Sequence, residues 1–330
     1  MKQFLQKKAK LVFLCMLVLL TCTACANPRG RDGKTLADQI IASEETTIDA
    51  SKINYKDISD KKLKKEIKKN IKDGEYTIQP TTFKDSMSKG WFEGLIVWPI
   101  AQIINLISSK TDAGVGIILT TLLIQMLVFV FTRKSQMSTQ RMQEISPEIQ
   151  KIQNKYKDKT DERSKMQMAQ EMQNIYQKYD IHPFGSMLIT FIQLPIMMGM
   201  YYATMRSVSV VSGSFMGISL AGTPLDGFKA FDIAYISIYV SMVIFYIVSM
   251  KLPQWLKKWQ DKKDNVKVKK YAQEETNPMA NSMNMSMYFM TAMICIMYIS
   301  WPMAMSFYWL VSSVIRVCQS LILHKVMNKK

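Results

Sequence analysis

The 330-residue chain is 48% hydrophobic, carries a net charge of +17 and contains several apolar runs near bilayer length. This combination excludes a soluble nucleic-acid binder and indicates a polytopic membrane protein with basic segments. Five cysteines, three of them in or just after the first apolar run, do not make a disulfide framework, and two histidines make a His-based metal site improbable. With no Walker-type glycine loop, HExxH or GxSxG in the sequence, nothing argues for ATP hydrolysis or proteolysis, and no cofactor is expected.

Lys2, Lys7, Lys8 and Lys10 precede the apolar run Leu11–Leu20, and Thr21-Cys22-Thr23-Ala24-Cys25 follows. A basic head, a short apolar core and small residues predict a secretory signal peptide over residues 1–25. A cysteine directly after small residues also resembles a bacterial lipoprotein cleavage site, with Cys25 as the lipidated, palmitate-bearing residue. Cys22 stands where such sites usually carry leucine, so plain cleavage and an uncleaved anchor stay open. Residues 26–90 are polar and lysine-rich, and are expected outside the cell once the signal has translocated. Lys56–Lys72 spaces Ile58, Leu63, Ile67 and Ile71 at helical intervals among lysines. Such a helix rests on anionic headgroups or cell-wall polymer, or stays solvated and weakly ordered.

Residues 91–108 begin WFEGLIVWPIAQIINLI, with Glu93, Pro99, Gln102 and Asn105 among apolar residues. The pattern predicts an interfacial helix with Trp91 and Trp98 at headgroup level. Five spans follow in the core, 109–330, at about 113–132, 184–205, 231–250, 282–299 and 303–323. The segments Ser135–His182 and Lys251–Asn281, together with the tail, hold most of the remaining Lys and Arg, whereas the loop Ser207–Ala230 holds only Lys229 beyond Ser207. By the positive-inside rule this places the N-terminus outside and the C-terminus in the cytoplasm.

Within 135–182, Met142, Ile145, Ile149, Ile152 and Tyr156 form one amphipathic stripe, with Pro147 as a kink or restart. Met166, Ala169, Met172, Ile175 and Tyr179 form a second. Two antiparallel helices are expected, methionines on their apolar faces. In the fourth span Met283, Met287, Met290 and Met297 make a stripe that packs, faces lipid or receives apolar segments.

The last span places Arg316 inside an apolar run. A charge near the bilayer centre costs at least roughly 2.5–3.5 kcal/mol on insertion scales, so it faces a bundle interior or water, or snorkels to headgroups. Trp309, Ser312 or Ser313, Arg316 and Ser320 share one helix face. Thr121, Gln125 and Thr132 share another, on the first span. On the second, Gln193 accompanies Pro195 and either faces the groove or bridges helices.

WFEGLIVWP, SQMSTQRMQEISPEIQKIQNKYKDK, HPFGSMLITFIQLPIMMGMYYA and PMAMSFYWLVSSVIRVCQ occur in this order, and the chain from Trp91 to Gln319 resembles the YidC-type membrane protein insertases, in particular the lipoprotein form of Gram-positive bacteria. The resemblance implies an all-α polytopic fold with five transmembrane helices around a hydrophilic groove, an outer interfacial helix and a cytoplasmic helical hairpin. It further implies ATP-independent insertion and folding of membrane proteins into the plasma membrane, without covalent chemistry. The implied partners are nascent membrane proteins, with the Sec translocon, the ribosome and anionic lipid as further candidates and no nucleic acid. The short tail Leu323–Lys330 lacks the basic extension that some relatives use for ribosome docking.

The sequence departs from the family pattern in the groove. The first-span position that carries the family's arginine is Gln125, and the position of a last-span asparagine is Ser313. At ~1.5 Å per residue, Gln125 lies roughly 18 Å and Arg316 roughly 20 Å from the outer ends of their spans. A groove charge moved from the first span to the fifth is therefore expected. The site would comprise Arg316, Gln125, Gln193, Ser312, Ser313, Trp309 and Thr121. An insertase-like subunit dedicated to a secretion or conjugation apparatus is the alternative; a transporter would need inverted repeats or an acidic intramembrane site, and neither is seen.

Overall fold

The structure, a computed structural model, describes residues 28–156, 159, 161–181, 185–263, 288–289 and 291–327. The signal segment with Cys25, and Met283, Met287 and Met290 of the expected methionine stripe, lie outside these residues. The first elements are β1 (Thr35–Leu36), β2 (Thr46–Asp49), β3 (Ile53–Asn54), α1 (Lys61–Asn70), β4 (Glu75–Ile78) and α2 (Phe83–Ser88). A π-helical stretch, Glu93–Val97, leads into α3 (Trp98–Ser108). Then come α4 (Ala113–Glu144), α5 (Ser146–Lys155), α6 (Glu162–Lys178), α7 (Gly185–Arg206) and α8 (Val208–Ser212). A short hairpin of β5 (Ser214–Phe215) and β6 (Ile218–Ser219) precedes α9 (Pro224–Ala230), α10 (Ile233–Lys263) and α11 (Met303–Met327). Residues 291–298 are helical as well.

Among the described residues α4, α10 and α11 are long and apolar enough to cross a membrane. The 32 residues of α4 reach about 48 Å, well beyond the ~30 Å hydrocarbon layer, so the helix runs on past Thr132. Its surface is inverted relative to a water-soluble helix. Thr121, Gln125 and Thr132 are buried, while Leu123, Met126, Leu127 and Val130 are exposed and Phe131 reaches 73% exposure. Apolar residues outside and polar residues inside suit lipid as the solvent. The chain is thus mainly helical, with six short strands among the described residues that hydrophobic periodicity did not announce.

Two helices depart from the sequence reading. The third span was expected to end at Met250 in a lysine-rich loop, but α10 continues through Pro253 to Lys263. Leucine, lysine and glutamine are good helix formers and no glycine interrupts them. The second amphipathic stripe of 135–182 is incompletely covered, Met166 being 71% exposed.

The chain divides into two compact units. The first comprises Met1–Thr120, Gln193–Asp226 and Pro302–Tyr308. β1 pairs in parallel with β3 and β2 antiparallel with β4. Ala37, Ile40, Ile48, Ile53, Ile67 and Ile78 close over an apolar cluster that also takes in Val208 and Val211. The basic helix α1 is therefore not a solvated rod; it starts at an Asp60 cap and buries Ile67. Backbone bonds from Ile41 N to Arg206 O and from Val208 N to Ile41 O bind this region to the end of α7. The polar residues of α3 serve the same join. Asn105 Nδ2 donates to Ile41 O, its Oδ1 accepts from Ser207 Oγ, and Gln102 Nε2 donates to Ala42 O.

The second unit comprises Thr121–Ile192, Gly227–Trp301 and Trp309–Lys330. Here α5, with Pro147 in its first turn, and α6 form a helical hairpin. Lys155 Nζ lies 2.5 Å from Glu171 Oε1, and Tyr156 Oη donates to the same oxygen across 2.9 Å. Tyr179 Oη donates to Glu148 Oε1 at 2.7 Å. Ile145, Ile152 and Tyr156 are buried.

Candidate functional site

From Met303 to Met327 the sequence contains neither glycine nor proline, and Pro302 stands just before the helix, so α11 forms without interruption. Its three- and four-residue spacing then puts Trp309, Ser312, Ser313 and Arg316 along one side. Ser312 and Ser313 are fully buried and Trp309 nearly so, while Arg316 is half-buried.

Two polar partners meet these adjacent hydroxyls. From α4, the buried Gln125 donates Nε2–H to Ser312 Oγ at 3.2 Å. From α11 itself, Arg316 Nη2 donates to Ser313 Oγ at 3.1 Å. The guanidinium lies 5.5 Å from the Trp309 ring centre and 5.9 Å from that of Tyr246 on α10. The Trp309 ring is in turn edge-on to Tyr246 and tilted against Tyr298. Aromatic faces attract a cation by about 0.5–2 kcal/mol, more as water is excluded, so the rings fix where the charge sits.

The Arg316 side chain reaches back three residues to Ser313 and seven to Trp309, along the N-terminal lean of helical side chains.

Thr121 is buried one turn before Gln125 on the same face of α4. The polar strip continues through Thr132, which accepts from Gln136 Nε2 at 2.9 Å, to the buried Gln140. Gln193 lies in the first unit, where its Nε2 donates to Tyr308 Oη at 3.1 Å.

Sequence reasoning missed Tyr246, which sits in the apolar run FYIVSM with no polar neighbour at helical spacing except Ser249. The only signal was indirect, in that a cation seven residues after a tryptophan leaves one face of its guanidinium for a ring on another helix. In the hairpin, hydrogen bonds from Lys155 and then Tyr156 hold the Glu171 carboxyl below the usual glutamate range, and the same pairing raises Lys155. Among the described residues no three His, Cys, Asp or Glu side chains come together to hold a metal ion.

Long helices with apolar outer faces and buried amide and hydroxyl groups define a multi-pass membrane protein. The sequence model of the family described as "60Kd inner membrane protein" matches residues 105–330, and the chain belongs to that family. It is 30% identical over 237 residues to a protein of Streptococcus pyogenes serotype M6 named membrane protein insertase YidC 1, covering 72% of this chain and 75% of that protein. The membrane protein insertase YidC 1 of Listeria monocytogenes serotype 4b is 29% identical over 257 residues, 77% of this chain and 78% of its own. The membrane protein insertase MisCA of Bacillus subtilis is 27% identical over 238 residues, with coverage of 72% and 80%. These matches bear out the resemblance to YidC-type proteins.

Proposed function

We propose that this protein inserts and folds membrane proteins in the plasma membrane, without ATP hydrolysis or covalent chemistry. The observation that carries the reading is the match of residues 105–330 to a family whose similar members are named membrane protein insertases. Arg316, Gln125, Ser312, Ser313, Trp309 and Thr121 form the polar site that receives a hydrophilic, acidic segment of a nascent membrane protein. The N-terminal direction of Arg316 supports this role. In a low-dielectric surrounding one fixed cation attracts a carboxylate far more strongly than it would in water. The driving force is the transfer of a ~20-residue apolar segment into lipid, worth about 25 cal/mol per Å² of apolar surface.

The charge distribution supports an N-terminus outside, anchored through a lipid on Cys25, and a cytoplasmic C-terminus. The hairpin of α5 and α6 then lies in the cytoplasm, where substrates arrive from the ribosome or beside the Sec translocon. Gln193, paired with Tyr308, contributes packing.

The test is rescue of bacteria depleted of their own insertase, scoring growth and insertion of a short acidic-tailed membrane protein at matched expression. Wild type is expected to rescue, Arg316→Ala to fail, and Arg316→Ala with Gln125→Arg to recover. Full rescue by Arg316→Ala would remove the charge from the mechanism. Failure of a well-inserted wild type would point to a subunit dedicated to one secretion apparatus.

A further inference from the structure

The last turns of α10 read KLPQWLKKWQDKK over Lys251–Lys263, with five lysines and one aspartate. Trp255 and Trp259 stand one helical turn apart on the same face and are 48% and 63% exposed. Lys258, Lys262 and Lys263 are exposed beside them, and Lys257 is partly exposed. Lys263 Nζ lies 5.7 Å from the Trp259 ring centre.

Their level relative to the bilayer follows from Lys251. Its ammonium bonds Tyr288 Oη and lies 4.7 Å over that ring, a Lys–Tyr pairing of the kind found where spans leave hydrocarbon. Along the helix axis Trp255 is about 6 Å and Trp259 about 12 Å further on. The headgroup layer is only about 5–7 Å thick on each side. An upright helix therefore keeps Trp255 in that layer and carries Trp259 beyond it. Pro253 stands between Lys251 and the first indole. It has no N–H for the Ser249 carbonyl, and its ring crowds the preceding turn, which weakens the helix at this point. A bend there would lay the terminal turns along the surface, with both indoles in the layer and the lysines at its phosphates.

We propose that Leu252–Lys263 is a membrane-surface anchor. It seats Trp255 and Trp259 among headgroups and binds anionic phospholipid through Lys257, Lys258, Lys262 and Lys263. The occupant follows from two features: the segment is continuous with a spanning helix, so the bilayer is always within reach, and its charge complements anionic lipid. The leaflet depends on the orientation proposed above, being the cytoplasmic one in that orientation; the binding itself does not. The anchor sets the axial level of α10 and with it Tyr246, which faces Arg316.

The full chain, reconstituted in phosphatidylcholine vesicles with or without phosphatidylglycerol, tests this. The emission of the two indoles is isolated by subtracting the spectrum of Trp255→Phe/Trp259→Phe. With phosphatidylglycerol present, that emission is expected to be quenched by chain-brominated lipid and shielded from aqueous iodide. Replacing the four lysines by glutamine is expected to abolish this shielding, while the other tryptophans keep their quenching by brominated lipid and so report intact insertion. Equal iodide quenching in both vesicle types overturns the proposal. So does lipid quenching that is indifferent to phosphatidylglycerol, and so does shielding from both quenchers, which means that protein covers the indoles.

Discussion

Gln125 on α4 and Ser312 on α11, 187 residues apart in sequence, are joined by one buried hydrogen bond of 3.2 Å. The next residue, Ser313, accepts a hydrogen bond from Arg316. A neutral amide and a cation thus converge on neighbouring hydroxyls of one turn.

This arrangement makes the effect of Gln125→Arg depend on Arg316. With Arg316 present, a second cation meets the first in a desolvated site, and like charges a few ångströms apart oppose folding. With Arg316→Ala the new arginine is alone and the repulsion disappears. Thermal unfolding in detergent of wild type, both single variants and the double variant is expected to give a favourable coupling of more than about 1 kcal/mol for the pair of changes. Gln125→Leu, which removes only a hydrogen bond between helices, is expected to cost roughly 0.6 kcal/mol.

Tyr246 is expected to position Arg316 through its ring rather than its hydroxyl. Tyr246→Phe keeps the face that lies 5.9 Å from the guanidinium and should insert substrates at close to the wild-type rate. Tyr246→Leu removes it, losing about 0.5–2 kcal/mol of orientation, and should impair insertion of acidic-tailed substrates more than that of uncharged ones. Equal activity of the two variants on both substrates would sink this assignment.

Arg206 at the end of α7 pairs with Glu93, with the arginine side chain only 2% exposed. Its Nε also donates to Gln39 O at 2.7 Å. Glu93→Gln leaves a buried charge without its counter-charge and is expected to destabilise the protein by about 3–5 kcal/mol. Glu93→Gln with Arg206→Met removes both charges and should recover much of that loss, read as a melting temperature closer to wild type.

The hairpin should respond to pH at Glu171. Its carboxyl titrates below the usual value of 4.5, so the pairing contributes stability at higher pH and loses it as pH falls below that value. Lys155 is raised above its usual 10.5, so its share is present below that value and lost only as pH climbs through the raised one. Amide exchange in residues 146–178 is expected to accelerate on acidification below pH 4.5, and Glu171→Gln should remove most of the difference.

Some of this was readable from side-chain spacing alone. Arg316 stood out because one charge in an apolar run is costly wherever it sits, and Ser312 and Ser313 joined it because helical periodicity alone puts them one turn away. Lys61–Asn70 shows the opposite case. Its lysines look like a solvated rod until the strands that cover Ile67 are in place.

What the sequence determined by itself was local: helix-forming runs, their apolar lengths, the sign of each connecting segment, and which residues share a face. These depend on neighbours within a few positions. The tertiary structure alone decided the partners. Gln125 and Gln193 are both glutamines within apolar helices, yet one meets Ser312 and the other Tyr308. Gln102 and Asn105 read as residues for a wet interface, yet they hold the backbone at Ala42 and Ile41. Tyr246 read as one more apolar residue until a guanidinium lay over it. A polar group away from water must find a hydrogen-bonding or charged partner, and the sequence states that need. Which group meets it depends on helix packing between segments far apart in the chain, which no local pattern encodes.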